Sequence, residues 1–354
     1  MPERSRGLFA LALVAMEVLL YLSQDMYLPA LPTVREAFAL TTRAAQWSFS
    51  AWLLGAATLQ LAFGPLSQQL GRRRLMLSAA LVFAAASGGC ALATGYSFFI
   101  GCRIGQGACL GAVLVAGYAC LHELFPAQQG VRTLAWMNSI TVLAPALGPL
   151  GGALLLYVAP WRLLFVLLAG LALPTAALLA AAMPRDAPSP PPPTLAATLH
   201  AATATLRRRA VRMPLGAFCA VFATLVAWNV SAPFLFGSGP DAATRFALAQ
   251  AALYAAFIAG TRVAAHAVTR ASSLRALARG GATAGALGAL LALGAEAIGA
   301  RRGFGQLGFA LTMASAAAAV VVGAGFGGFY ACAAVLLLAA RWLLRTSALP
   351  AELP

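Results

Sequence analysis

The sequence predicts an all-α membrane protein of two helical bundles with about eleven transmembrane helices. Three observations carry this. The 354-residue chain is 61% apolar and only 9% charged, with a mean hydropathy of +0.84, which excludes an ordinary soluble globular class. Apolar runs long enough to cross a bilayer, which takes about 20 residues, recur along it. A stretch at 184–213, holding Pro188-Ser189-Pro190-Pro191-Pro192-Pro193 and the triplet Arg207-Arg208-Arg209, separates the runs into two groups and favours extended polyproline II before a segment with helical potential. The domains are therefore expected at 1–183, a six-helix bundle; 184–213, a cytoplasmic linker; and 214–354, a second, incomplete bundle.

The first span, about 8–31, contains two carboxylates, Glu17 and Asp25. A charge deep in a bilayer costs at least ~2.5–3.5 kcal/mol, so such groups face a protein interior or a water-filled cavity. Eight residues of helix separate them by about 80° in azimuth and ~12 Å along the axis. Both can look into one cavity, at two depths. A carboxyl group so placed can carry a proton or meet a cation; alternatively Asp25 sits at the polar helix end and Glu17 is paired.

Pro29, Pro32 and residues 35–43 read as a polar loop. The second span, about 45–63, meets a basic loop at 64–74. The third, about 75–94, turns at Gly95-Tyr96-Ser97 into the fourth, about 98–121, which contains Arg103. Arginine does not lose its proton in proteins, so Arg103 either meets an anion or a carbonyl or snorkels to the interface. After a polar loop at 122–132, the fifth span, about 134–158, is interrupted by Pro145, Gly148, Pro149, Gly151 and Gly152. Such a run kinks a helix and admits a neighbouring backbone closely. The sixth follows Trp161-Arg162 and ends near Met183. Beyond the linker, spans are expected near 215–236, 246–268, 274–299, 305–323 and 327–344.

All the basic residues are arginine, and the net charge is +15. They are dispersed in short loops, the pattern that orients helices in a bilayer rather than one that grips nucleic acid. With the N-terminus cytoplasmic, Arg72, Arg73, Arg74, Arg132, Arg185 and the 207–212 cluster fall inside. Only Arg35, Arg43 and Arg162 fall outside in the first half. Arg4 and Arg6 before an apolar run are signal-like, but the run is long, acidic and without a small-residue cleavage site, so a retained helix is expected. The six cysteines, Cys90, Cys102, Cys109, Cys120, Cys219 and Cys332, lack CxxC spacing and read as packing residues. His122, His200 and His266 show no metal-ligand spacing, so no metal is expected. Nor is an enzyme, since no nucleophile–base constellation is visible.

Four motifs in order sharpen the reading. They are the loop Gly64-Pro65-Leu66-Ser67 through Leu70-Gly71-Arg72-Arg73; Arg103-Ile104-Gly105-Gln106-Gly107; Ala144-Pro145-Ala146-Leu147-Gly148-Pro149-Leu150-Gly151-Gly152; and Asp25-Met26-Tyr27-Leu28-Pro29-Ala30-Leu31-Pro32 preceded by Glu17 and Gln24. Together they resemble the major facilitator superfamily, and within it the drug:proton antiporters of the Bcr/CflA group, whose multidrug members carry paired first-helix acids. The resemblance covers 10–183 closely and 205–299 loosely.

It implies a proton-coupled multidrug efflux transporter of the bacterial inner membrane, acting as a monomer on lipophilic, often cationic compounds. Its energy source would be the proton gradient, with no other cofactor. Glu17, Asp25 and Arg103 would be the proton-coupling residues. Glu17, Tyr21, Gln24, Asp25, Tyr118 and Met137 would line the drug cavity, with weaker support for Trp228, Asn229 and Pro233; taken singly, these residues also suit ordinary packing. Gly64, Gly71, Arg72 and Arg73, and Pro145, Gly148, Pro149 and Gly152, would belong to the gates, the latter group sealing the two halves.

Two departures matter. Gln68-Gln69 stands where the family carries an aspartate followed by a basic residue. The second half also reads one span short of twelve, with the gap expected after Gly299. The alternatives are a narrow-substrate exporter of an antibiotic or metabolite, and a degenerate, non-transporting membrane protein.

Overall fold

The computed structural model describes residues 3–185, 194–208, 226 and 228–270. The spans expected at 274–299, 305–323 and 327–344, and most of that at 215–236, lie outside these residues, as do Arg212, Cys219 and Cys332. Every described element is helical. The chain divides into two compact units, Met1–Ala202 with Ser238–Thr244, and Thr203–Gly237 with Arg245–Pro354.

In the first unit, α1 (Glu3–Asp25) leads through a 3₁₀ turn, Leu28–Ala30, into α2 (Leu31–Ala37). The loop expected from Pro29 onward is thus helical. Each proline stands in the first turn of its segment, where a missing N–H breaks no bond, and both are buried. The actual turn is at 38–41. There Leu40 N–H bonds to the Arg35 carbonyl at 2.9 Å and Ala39 N–H to that of Glu36 at 3.1 Å. This is a Schellman closure, with Ala39 at φ +51 in the glycine-favoured position.

Thr41 caps α3 (Thr42–Leu70) by accepting from Ala44 N–H at 3.2 Å. The helix bends by 60° between Thr42–Gln60 and Ala62–Leu70. Pro65 explains the position of the bend. Its ring lacks the N–H that would reach the carbonyl four residues back, at position 61, and it pushes that carbonyl aside. The sequence places a loop at 64–74, but here the helix runs through Gly64 to Leu70. Only Gly71 separates it from α4 (Arg72–Leu92). At φ +87, Gly71 holds a backbone conformation that side chains disfavour.

α5 (Tyr96–Ala112) carries a π turn, Val113–Gly117, before α6 (Tyr118–Leu124). The expected loop at 122–132 shrinks to Phe125-Pro126, after which come α7 (Ala127–Thr141) and α8 (Ala144–Val158). The break between them agrees with the kink read from the sequence. Pro145, in the first turn of α8, cannot donate to the carbonyl of Thr141, so α7 ends there. α9 (Arg162–Ala182) completes the bundle. By length and composition, five of these helical units are long and apolar enough to cross a membrane, six if the bent α3 is one span. Linker helix α10 (Leu195–Arg207) follows. In the second unit residues 228–236 form α11, and α12 (Pro240–Arg270), which begins in the first unit, covers the span expected at 246–268.

Glycines set the closest contacts. A methyl on Gly107 of α5 would collide with the Trp52 carbonyl of α3, and one on Gly55 of α3 with the Ile104 carbonyl of α5. The two backbones therefore touch at a reciprocal pair of glycines. One end of the unit is filled by Tyr27, Phe38, Tyr96, Phe99, Trp161 and Phe165, whose rings stand 5.6–6.4 Å apart, several edge-to-face.

Gly107→Ala is expected to destabilise the protein by about 2 kcal/mol or more through overpacking against backbone. Gly105→Ala, whose new methyl would meet the Ala86 methyl at an ordinary 3.5 Å, should leave stability unchanged. Thermal unfolding of the detergent-solubilised variants compares the two.

Candidate functional site

Arg103, in the second turn of α5, is fully buried, so it does not snorkel. Its Nη1 donates to the Ser23 carbonyl at 2.9 Å and to Gln106 Oε1 at 2.7 Å, and its Nε reaches the Ser48 carbonyl at 3.3 Å. The guanidinium lies 4.7 Å over the Tyr27 ring, a favourable cation–π distance. Its Nη2 has no hydrogen-bond partner. Ser23 is two residues from the end of α1, so its carbonyl is among the last four that the helix leaves open, at its negative end. Of the partners the sequence allowed, Arg103 takes carbonyls and an amide. Among the described residues no carboxylate forms an ion pair with it.

A polar web extends from this arginine. Gln106 Nε2 donates to Ser87 Oγ on α4 at 2.8 Å. Ser23 Oγ donates to the Leu20 carbonyl and accepts from Trp52 Nε1 of α3 at 3.0 Å. Ser48 Oγ donates to the Ala45 carbonyl, so the Tyr27 hydroxyl, 2.6 Å away, is the donor to Ser48. Four helices are thereby tied around one cation. Sequence reasoning passed over Ser23, Tyr27, Ser48, Trp52, Ser87 and Gln106. Gln106 lay in the same motif as Arg103, one turn on. The serines stood out only as lone hydroxyls in apolar runs.

The two acids occupy the neighbouring stripe of α1. Glu17, Tyr21 and Asp25 recur every four residues and so share a face. Glu17 is 2% exposed. Its Oε1 accepts from the Tyr118 hydroxyl at 2.9 Å, while its Oε2 is buried without a partner. Tyr118 is the first residue after the π turn. Asp25 is 3% exposed, and no hydrogen bond or ion pair reaches it among the described residues. The Pro145–Gly152 stretch packs here: a methyl on Gly148 would lie 2.9 Å from Asp25 Cβ, and one on Gly152 would strike the Met26 carbonyl. The close backbone approach read from that motif is thus made against the acidic end of α1. Met137 and Gln24 are buried and Tyr21 is partly exposed.

At the opposite end of the unit, Arg72 pairs with Glu123 of α6, and Arg73 Nη2 donates to the Ala180 carbonyl of α9 at 2.6 Å. These motif residues clamp the start of α4 to the ends of two other helices. Cys90, Cys102, Cys109 and Cys120 are free thiols.

The second unit has its own polar chain. Trp228 Nε1 donates to Gln250 Oε1 at 2.6 Å, and Gln250 Nε2 donates to Asn229 Oδ1 at 2.7 Å. All three side chains are buried. Trp228 and Asn229 were visible in the sequence as candidates; Gln250, one amide in an alanine-rich helix, was not.

A family model described as Major Facilitator Superfamily matches residues 13–341. Multidrug transporter MdfA of Yersinia pestis bv. Antiqua is 32% identical over 291 residues, 81% of this chain and 70% of that one. Chloramphenicol resistance protein CraA of Acinetobacter baumannii is 36% identical over 171 residues, 48% of this chain and 41% of that one. Multidrug resistance protein MdtM of Salmonella typhimurium is 29% identical over 265 residues, 72% of this chain and 62% of that one. The chain therefore spans well under two thirds of CraA and slightly under two thirds of MdtM. Among solved structures, the xylose transporter XylE from E. coli, partially occluded and inward open, superposes with a TM-score of 0.67 at 15% identity, covering 98% of this chain and 99% of that one. An inward-facing bacterial homolog of the human lysosomal transporter Spinster gives 0.66 at 16% identity, covering 97% and 81%.

Arg103→Lys should cost about 2 kcal/mol or more of stability, because one ammonium cannot reach the Ser23 carbonyl, the Ser48 carbonyl and Gln106 together and leaves buried acceptors unmet. Chemical unfolding in detergent, beside Arg74→Lys on the exposed side of the same bundle, measures the difference.

Proposed function

The chain belongs to the Major Facilitator Superfamily and has its fold in a multi-pass membrane protein, and on that premise we propose that it exports lipophilic, often cationic compounds across the bacterial inner membrane in exchange for protons. The observation that carries the proposal is the pair of buried acids on α1. One Glu17 oxygen is buried without a hydrogen-bond partner, and Asp25 is buried with no hydrogen bond or ion pair reaching it among the described residues. A charge buried without a partner is costly and is relieved by whatever neutralises it. A proton and a lipophilic cation are both suited to that task, and each excludes the other from the same carboxylate. Exchange follows from this competition.

Arg103 sits near these acids but is held by carbonyls, so it provides a fixed positive field and leaves both carboxylates open to a mobile partner. Tyr118 orients Glu17, and Tyr21, between the acids on the same face, offers an aromatic surface to an apolar ligand. The names of MdfA and MdtM support a broad drug spectrum. Arg72, Arg73, Arg74, Arg132 and Arg185 gather at one end of the helices and Arg35, Arg43 and Arg162 at the other, which supports a cytoplasmic N-terminus.

A narrower reading is favoured by the 36% identity to a chloramphenicol resistance protein across 171 residues: export of one class of neutral antibiotic. Gln68 and Gln69, in place of an acid at the end of α3, favour a third, a bundle that folds without cycling.

In a drug-susceptible host, the full chain should lower accumulation of a fluorescent lipophilic cation such as ethidium. Glu17→Gln with Asp25→Asn should abolish this, and Tyr118→Phe should reduce it in part. Unchanged efflux by the double variant would refute the exchange mechanism. Efflux of chloramphenicol alone would favour the narrow exporter, and no efflux by the unsubstituted chain the non-cycling bundle.

A further inference from the structure

The linker helix α10 starts and stops on local signals. Thr194, directly after the proline run, caps it by accepting from Ala197 N–H at 3.2 Å. Alanines at 196, 197, 201, 202 and 204 favour the helix, and Arg207 stands in its last turn, where a cation suits the negative helix end. Leu199, Ala202 and Leu206 recur at intervals of three and four, so they form one apolar stripe. Leu199 is 42% exposed and Leu206 45%, and none of the described side chains of α10 is buried. A helix of 13 residues is marginal in water on its own. With the leucines of its one apolar face open, α10 needs a surface to lie on.

Charge says which surface. From 187 to 240 the chain holds Arg207, Arg208, Arg209 and Arg212 and no aspartate or glutamate, and Arg207 and Arg208 are exposed. An anionic face complements them. The stripe asks for hydrocarbon as well, which a nucleic acid does not offer, since its phosphates would leave the leucines in water. A bilayer with anionic headgroups offers both, charge at its surface and apolar depth just below. It is also close at hand. Leu195 follows the end of α9, a helix long and apolar enough to cross a membrane, by a tether that spans about 45 Å at full extension. Arg207 falls about 100° round the helix from the stripe. From that flank a long cation reaches headgroups while the leucines go deeper.

We propose that α10 docks lengthwise on the anionic headgroup layer of the membrane, Leu199 and Leu206 entering the interface and Arg207 and Arg208 meeting lipid phosphates. This goes beyond the export reading and does not depend on it, since it requires only a membrane-spanning chain. The linker is then held at the bilayer, and the strength of the hold follows the anionic-lipid content of the membrane.

The arginines themselves provide the readout, because trypsin cuts after each of them and cleavage tracks the undocked fraction. The full chain is reconstituted in lipid nanodiscs of phosphatidylcholine alone or with phosphatidylglycerol, and cleavage at 207–212 is timed by mass spectrometry. Trypsin activity in each preparation is normalised with a small arginyl amide substrate. Phosphatidylglycerol should slow cleavage about tenfold, and about 0.5 M salt should return part of the rate by screening. Leu199→Asp with Leu206→Asp should remove most of the protection, and Ala202→Leu, which enlarges the stripe, should increase it. Equal rates in the two lipids overturn the proposal. So does slow cleavage in both lipids and in detergent that the aspartates leave unchanged, which would mean that protein covers the sites. Protection by phosphatidylglycerol that survives the aspartates reduces the contact to charge alone and overturns the docking of the stripe. Protection by added RNA in phosphatidylcholine discs, matching that by phosphatidylglycerol, would give the surface to nucleic acid instead. Elution as a single species and an unaltered melting temperature qualify each variant, and none of these outcomes bears on drug export.

Discussion

A guanidinium sealed from water, with no carboxylate in ion-pair contact, is the constraint around which the first bundle is arranged. Arginine remains charged at any relevant pH, so its surroundings must supply acceptors. Helices offer few, because their carbonyls are already engaged. The bundle meets this in three ways. It ends α1 close by, leaving the Ser23 carbonyl open; it places Gln106 one turn from Arg103; and it lays the Tyr27 ring under the cation. Each device needs another element in register. Trp52 steadies Ser23, Ser48 takes the Tyr27 hydroxyl, and Ser87 holds Gln106. The glycines that let α3 and α5 touch are what bring the Ser48 carbonyl within reach. Packing and electrostatics here are one requirement.

Because the bonds that Arg103 makes, through Nε and Nη1, all go to neutral acceptors while Nη2 stays without one, the acids of α1 are left outside its ion-pair contacts. A structure that paired Arg103 with Asp25 would have neutralised the very charge that a proton or a cation could compensate. The first unit thus holds a buried cation apart from two buried carboxyl groups, one of which keeps an oxygen without a hydrogen-bond partner. Asp25 also abuts the glycine stretch of α8, so the charge state of one side chain is felt where two helices are in their closest contact.

Much of this was legible in the chain, and the reasons differ by feature. The six apolar runs, the acids at 17 and 25 and the glycine motifs are composition and spacing, and these survive into the fold. Loop boundaries did not read true. Prolines at 29, 32 and 65 looked like terminators, yet two begin helical segments and the third only bends one, since a proline forbids a single hydrogen bond rather than a helix. The arginines at 72–74 looked like a loop because they are polar, but polarity at a helix start needs only a nearby surface. The partners of Arg103 were hidden for a deeper reason. A backbone carbonyl has no letter in the sequence, and whether one is free depends on where a helix stops. Gln250 was hidden because a single amide has meaning only beside the groups it joins.

The π turn at Val113–Gly117 carries one residue more than an α-helical path of the same rise. Everything beyond it is rotated relative to Arg103 by that one insertion, and it is this rotation that delivers Tyr118 to Glu17. Counting along an ideal helix from the arginine would point the tyrosine elsewhere. Within a lineage, such a phase shift is a single-codon event inside a span, invisible as a change of loop length. Two homologues could thus share every motif and still present different side chains to the same acid.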